Sequence, residues 1–87
     1  MTKRDIRINL ENGMEARPIA LLVQEASKYE SKIYIQLGNR KVNAKSIMGM
    51  MSLGLDNGEE LEIFAEGSDE LAAVAGIENF LEGKKGA

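Results

Sequence analysis

Apolar and polar residues alternate strictly over Asp5-Ile6-Arg7-Ile8-Asn9-Leu10. Successive side chains of a strand point to opposite faces, so the pattern predicts a strand that buries Ile6, Ile8 and Leu10 together. Asn12-Gly13 breaks it. Pro18 comes next, where its missing N–H costs little in the first turn of a helix. Beyond it Ile19, Leu22, Val23, Ala26 and Tyr29 recur at steps of three and four, the stripe of an amphipathic helix. Alternation returns over Lys32-Ile33-Tyr34-Ile35-Gln36-Leu37. Gly38-Asn39 is a two-residue hairpin signal, and Arg40-Lys41-Val42-Asn43 runs back as a shorter strand.

Lys45 to Leu55 is densely apolar, with room for one or two helical turns, and Asp56-Asn57-Gly58 closes it. Glu59 to Glu66 reads as a fourth strand, with Leu61, Ile63 and Ala65 inward and Glu60, Glu62 and Glu66 outward. Ser68 is placed to cap a last helix, with Asp69 and Glu70 at the positive end of its dipole. Its buried stripe is Ala73, Val74, Ile77, Phe80 and Leu81. Gly76 weakens that helix by about 1 kcal/mol relative to alanine, and Gly83 onward reads as a frayed tail. The order is β-α-β-β-α-β-α. Strands with one apolar face need cover on that face only. An α+β fold follows: a four-stranded antiparallel sheet with three helices on one face.

A chain of 87 residues is expected to form one domain, 1–87. Histidine and cysteine are both absent, which removes imidazole chemistry, disulfides, zinc–thiolate sites and cysteine nucleophiles. No glycine-rich phosphate loop or paired-carboxylate motif is present, so the chain is not expected to be an enzyme or to need a cofactor. Glu59, Glu60, Glu62 and Glu66 read as a solvated strand face, not a metal site, because hard cations want oxygens converging from a shaped loop. Net charge is −3 with the basic residues scattered. Direct binding of nucleic acid is therefore not expected. Neither a signal peptide nor a membrane span is legible, and a cytoplasmic location is the expectation.

Ser46 stands where a helix N-cap would stand. Ile47, Met48, Met50, Met51, Leu53 and Leu55 are many large apolar groups for one short segment. By spacing alone they suit a core; by number, some must reach the surface, where methionine makes an adaptable contact.

Two segments carry a family resemblance. Asn12-Gly13-Met14-Glu15-Ala16-Arg17-Pro18 resembles the active-site motif of HPr, the histidine-containing phosphocarrier of the bacterial sugar phosphotransferase system. That motif reads Gly, then Leu, Ile or Met, then His-Ala-Arg-Pro. Lys45-Ser46-Ile47-Met48-Gly49-Met50-Met51-Ser52-Leu53 is similar to the family's regulatory-serine motif K-S-I-M-G-x-M-S-L at every fixed position. Val23-Gln24 and Val42-Asn43-Ala44 agree as well, and the resemblance spans essentially the whole chain. It implies an open-faced β-sandwich of the HPr type.

Glu15 stands at the position of the family's phosphorylated histidine, so the chain is no phosphohistidine carrier: a glutamate lacks the imidazole's geometry and proton chemistry. The chain is most similar to the Crh-type branch, which also lacks that histidine, although that branch carries glutamine there. The resemblance implies phosphorylation of Ser46 by an ATP-dependent HPr kinase/phosphorylase. The phosphorylated form would then act as corepressor for a catabolite control repressor, through Ala16, Arg17, Ala20 and Val23 of the first helix and Ile47, Met48 and Met51 of the short one. It also implies a homodimer made by exchange of the first strand, with Asn12-Gly13 as hinge. The alternative is a diverged or engineered HPr paralogue, charged at Glu15 and acting as an inert decoy for phosphotransferase partners.

The chain should accept no transferable phosphoryl group from phosphoenolpyruvate and the system's first enzyme. Glu15→His should gain at least partial acceptance, read as label passed on to a sugar-specific acceptor, because Ala16, Arg17 and Pro18 are already in place.

Overall fold

The structure, a computed structural model, describes residues 1–9, 16–56 and 58–82. Its elements are β1 (Thr2–Arg7), α1 (Ala16–Ser27), β2 (Lys32–Leu37), β3 (Arg40–Asn43), α2 (Ile47–Ser52), β4 (Glu60–Glu66) and α3 (Glu70–Leu81). The strands form one antiparallel sheet in the order β1-β4-β2-β3. The last strand in sequence thus lies between the first two. This is the α+β arrangement that alternation predicts.

Ile6, Ile33, Ile35, Leu61, Ile63 and Ala65 are buried on one face of the sheet. The helices cover that face with Ile19, Leu22 and Ala26 from α1, Met50 from α2, and Ala73, Val74, Ile77 and Leu81 from α3. Val23, Tyr29 and Phe80 pack against this core and are only partly buried. On the open face, Tyr34 and Phe64 are cross-strand partners. The Lys41 ammonium lies 4.2 Å from the Phe64 ring centroid and 5.3 Å from that of Tyr34. A cation over the π-face shields rings that no helix covers.

The first strand departs from its sequence reading. It begins at Thr2, where it pairs with Ala65, and its regular ladder ends at Arg7 opposite Glu60. Ile8 is nonetheless buried, and its backbone bonds Glu59 and Gly58. Leu10 lies outside the described residues. Charge assists the pairing: Lys3 bridges Glu62 at 2.9 Å and Arg7 pairs with Glu60, so two of the outward glutamates of β4 face cations of β1. Arg4, on the helix-facing side, reaches Glu78 of α3 at 2.8 Å. The N-terminal ammonium lies 3.4 Å from Glu70. Of the five ion pairs among the described residues, three therefore fasten β1 and a fourth holds the residue just before it.

Ser68 does not cap α3; the residue at that position is Asp69. Nor does the Asp69 carboxylate bond its own helix. It accepts the Glu30 N–H at 2.9 Å, the Ser31 N–H at 3.0 Å and the Ser31 hydroxyl, so it clasps the α1–β2 turn to the start of α3. Ser31 is buried, and this carboxylate is the partner that its hydroxyl needs. The Gly67 N–H is taken by Glu70 at 3.3 Å. Gly76 also sits where α3 meets α1. A Cβ there would lie 2.1 Å from the Tyr29 hydroxyl and 2.8 Å from Glu25, so a side chain would have to push both of these tips aside.

The Ser31 hydroxyl, followed by the Glu30 and Ser31 backbone N–H groups, holds the Asp69 carboxyl below the usual aspartate range. A folded-state pKa below the unfolded one stabilises the fold above the unfolded value, and that contribution fades as pH falls through the folded value. Asp69→Asn should therefore lower the urea midpoint at neutral pH. The wild type should also lose more stability than the variant on acidification below about pH 4.

Candidate modification and docking site

The lead-in to α2 is built by Asn43. Its side chain accepts the Lys45 N–H at 2.8 Å and its carbonyl accepts the Ser46 N–H at 3.0 Å, turning the chain out of β3. Ala44, fully buried, still donates to the Ile33 carbonyl at 2.9 Å. The Lys45 ammonium bonds the Tyr29 carbonyl at 2.6 Å, tying this turn to the end of α1. Ser46 then takes an extended backbone, φ −106° and ψ 112°, and its hydroxyl accepts the Gly49 N–H at 3.2 Å. It is the N-cap of α2. A Cβ on Gly49 would sit 3.4 Å from the Ser46 hydroxyl oxygen and 3.5 Å from Val42, in ordinary van der Waals contact with the cap.

The core-or-surface question for the methionines is answered residue by residue. Met50 is fully buried, while Met48 is 77% exposed, Met51 48% and Ile47 43%. Leu53 and Leu55 are buried. The segment thus splits into an inward anchor and an outward apolar surface beside Ser46.

Helix α1 lies against both α2 and α3. Gly76 of α3 meets Glu25 and Tyr29, which fixes the flank of α1 that faces α3. At about 100° per residue, Ala20 and Val23 fall on the opposite flank, toward α2. Both are half-buried. Ala16 and Arg17 begin α1, and Glu15 lies outside the described residues. The sequence reading omitted Leu21, which is 44% exposed. Its signal was available: a leucine off the three- and four-residue stripe has no place in the core.

The far end of α2 uses different chemistry. Arg40 of β3 donates to the Ser52 carbonyl at 2.7 Å and to its hydroxyl at 3.2 Å. The Ser52 hydroxyl in turn donates to the Gly49 carbonyl at 2.6 Å. Among the described residues, the Ser46 hydroxyl proton has no acceptor, whereas that of Ser52 is committed to a carbonyl. Of the two serines, only Ser46 keeps its hydroxyl proton uncommitted to another group among the described residues.

The family model for the PTS HPr component phosphorylation site matches residues 2–83. The chain is 43% identical over 82 residues to the HPr-like protein Crh of Halalkalibacterium halodurans, covering 94% of this chain and 98% of that one. It is 44% identical over 84 residues to the phosphocarrier protein HPr of Treponema pallidum, covering 97% and 96%. Among solved structures, HPr of Thermoanaerobacter tengcongensis superposes with a TM-score of 0.90 at 46% identity, covering 97% of this chain and 94% of that one. Crh of Bacillus subtilis, a dimer with a swapped domain, gives 0.77 at 38% identity with 97% of each chain covered. A four-stranded open-faced sheet, a capping serine on a short apolar helix, and likeness along nearly the whole chain all agree, and the chain belongs to the HPr family of the phosphotransferase system.

Proposed function

We propose that this protein is a regulator of carbon catabolite repression, phosphorylated on Ser46 by an ATP-dependent HPr kinase/phosphorylase and then acting as corepressor for a catabolite control repressor. The observation that carries this reading is the pairing of a capping serine with the exposed apolar residues Ile47, Met48 and Met51 on one short helix. A phosphate at that position adds a charge of about −2 next to an apolar surface and can recruit a partner's basic side chains in charge-assisted bonds. The backbone N–H groups at the helix start tolerate such an anion, so modification need not unfold α2.

The absence of histidine rules out the phosphocarrier role that gives the family its name. The likeness to Crh proteins supports the regulatory reading over the carrier one. Ala16, Arg17, Ala20 and Val23 complete the docking surface from α1. Activity is non-enzymatic and DNA is affected only through the repressor. Among the described residues no helix is long and apolar enough to cross a membrane. The position of β1 at the sheet edge, and the swapped dimer of the Bacillus subtilis relative, support a homodimer formed by exchange of that strand.

Incubation with ATP and the kinase should add one phosphate, found at Ser46 by mass analysis, and Ser46→Ala should remain unmodified. A wild-type chain that stays unmodified would make it a decoy and not a regulator. In a paired measurement of repressor affinity and urea midpoint, Met48→Ala should weaken binding of the phosphorylated protein while changing stability by no more than about 0.5 kcal/mol. Met50→Ala should do the reverse in kind, costing about 2–5 kcal/mol because its side chain is in the core.

A further inference from the structure

A helix of six residues is far below the length at which a helix holds itself in water, so α2 depends on what is done for its ends. The last four carbonyls of any α-helix lack partners within it. Here all four are accounted for. Gly49 accepts from the Ser52 hydroxyl, Met50 from the Leu53 N–H at 3.3 Å, Met51 from the Gly54 N–H at 3.4 Å, and Ser52 from Arg40. Three of these donors are local. The fourth is a cation from another element, and α2 has no basic residue of its own in its last turn.

Arg40 pairs with Leu37 across the hairpin, so it leaves β3 on the helix-facing side, where its guanidinium meets the negative end of the α2 dipole. Its two donors grip the carbonyl and the hydroxyl of one residue, a geometry that the planar guanidinium supplies and an ammonium does not. The Arg40 contact thus continues through the Ser52 hydroxyl to the Gly49 carbonyl, the same residue whose N–H, in the preceding peptide unit, bonds the Ser46 hydroxyl. One side chain on the sheet edge thus holds the last turn of the helix that carries Ser46 and the exposed methionines.

We infer that Arg40 is a positioning residue for the docking surface: it clamps the last turn of α2 to β3 and so presents Met48 and Met51 in a fixed arrangement to the kinase and the repressor. This rests on the proposed role of Ser46. Arg40 touches no reacting atom, and its loss leaves the Ser46 cap in place. Its effect is therefore on recognition of the protein substrate and not on phosphoryl transfer, in which the Ser46 oxygen attacks the γ-phosphorus of ATP, ADP leaves and the hydroxyl proton passes to the kinase.

The test compares wild type, Arg40→Met and Arg40→Lys by backbone amide exchange and by steady-state kinetics, with this protein as the varied substrate of the HPr kinase and ATP. In Arg40→Met the Leu53 and Gly54 amides should exchange faster by on the order of tenfold, the equivalent of one hydrogen bond to a charged group. The Ile35 and Ile63 amides of the sheet should keep their wild-type rates. KM for the protein should rise several-fold with kcat unchanged, and Arg40→Lys should fall between the two. Wild-type exchange together with a wild-type KM in Arg40→Met would overturn the clamp while leaving Ser46 as the modified residue. Equal acceleration of the sheet amides would overturn it too, by making Arg40 a general support of the fold. Failure of the wild-type chain itself to be phosphorylated would overturn the Ser46 reading, and the docking role of Arg40 with it.

Discussion

Only one face of the sheet is apolar, and three helices must share it. Ile33, Ile35, Leu61, Ile63 and Ala65 leave water only if helices lie over that face. Helix α1 sits between the other two and α3 covers β1 and β4, which leaves α2 over the short β3 at the edge. An edge position offers one neighbour where a central one offers two. Met50 fills the space available, while Met48, Met51 and Ile47 have nowhere to go but outward. The exposed apolar surface of the site is thus a consequence of where α2 lands on a sheet that can be covered from one side only.

The same economy explains the contacts between helices. With so thin a core, α1 and α3 have to pack closely, and the absent side chain at Gly76 allows it. A helix-weakening residue thus leaves room for the Tyr29 and Glu25 side-chain tips at the contact. The Asp69 clasp serves a related end, since it joins the turn before β2 to the start of α3 and satisfies the buried Ser31. A carboxylate that could have capped its own helix is used across the fold instead.

Charge does little for the core and much for the first strand. The cations of β1 lie against glutamates of β4 and α3, and each exposed pair contributes at most about 1 kcal/mol. Their value is in pairing: they place Lys3 and Arg7 beside Glu62 and Glu60 at an edge where one side of the strand has no partner. In a strand-exchanged dimer the same pairs would re-form between chains, so these charges resist opening of the monomer more than they oppose the dimer.

Local pattern was enough for the elements themselves. Alternation located the strands, although β1 runs over Thr2–Arg7 and not from Asp5, the stripe Ile19, Leu22 and Ala26 placed α1, and Gly38-Asn39 placed the hairpin, because periods of two and of three to four residues are properties of the backbone alone. The capping role of Ser46 was equally legible, since a cap acts within its own turn. What only the tertiary structure decided lies further apart in the chain. Strand order could not be read, because every strand shows the same alternation and nothing local says that β4 enters between β1 and β2. Ser68 looked like a cap, but the N-cap position of α3 lies one residue later, at Asp69, whose carboxylate goes to the distant Ser31 and Glu30. The methionines could not be divided into core and surface by spacing, because burial depends on which neighbours arrive. Arg40 gave no sign of its role, since an arginine on a short strand becomes the partner of Ser52 only when the hairpin is laid beside α2.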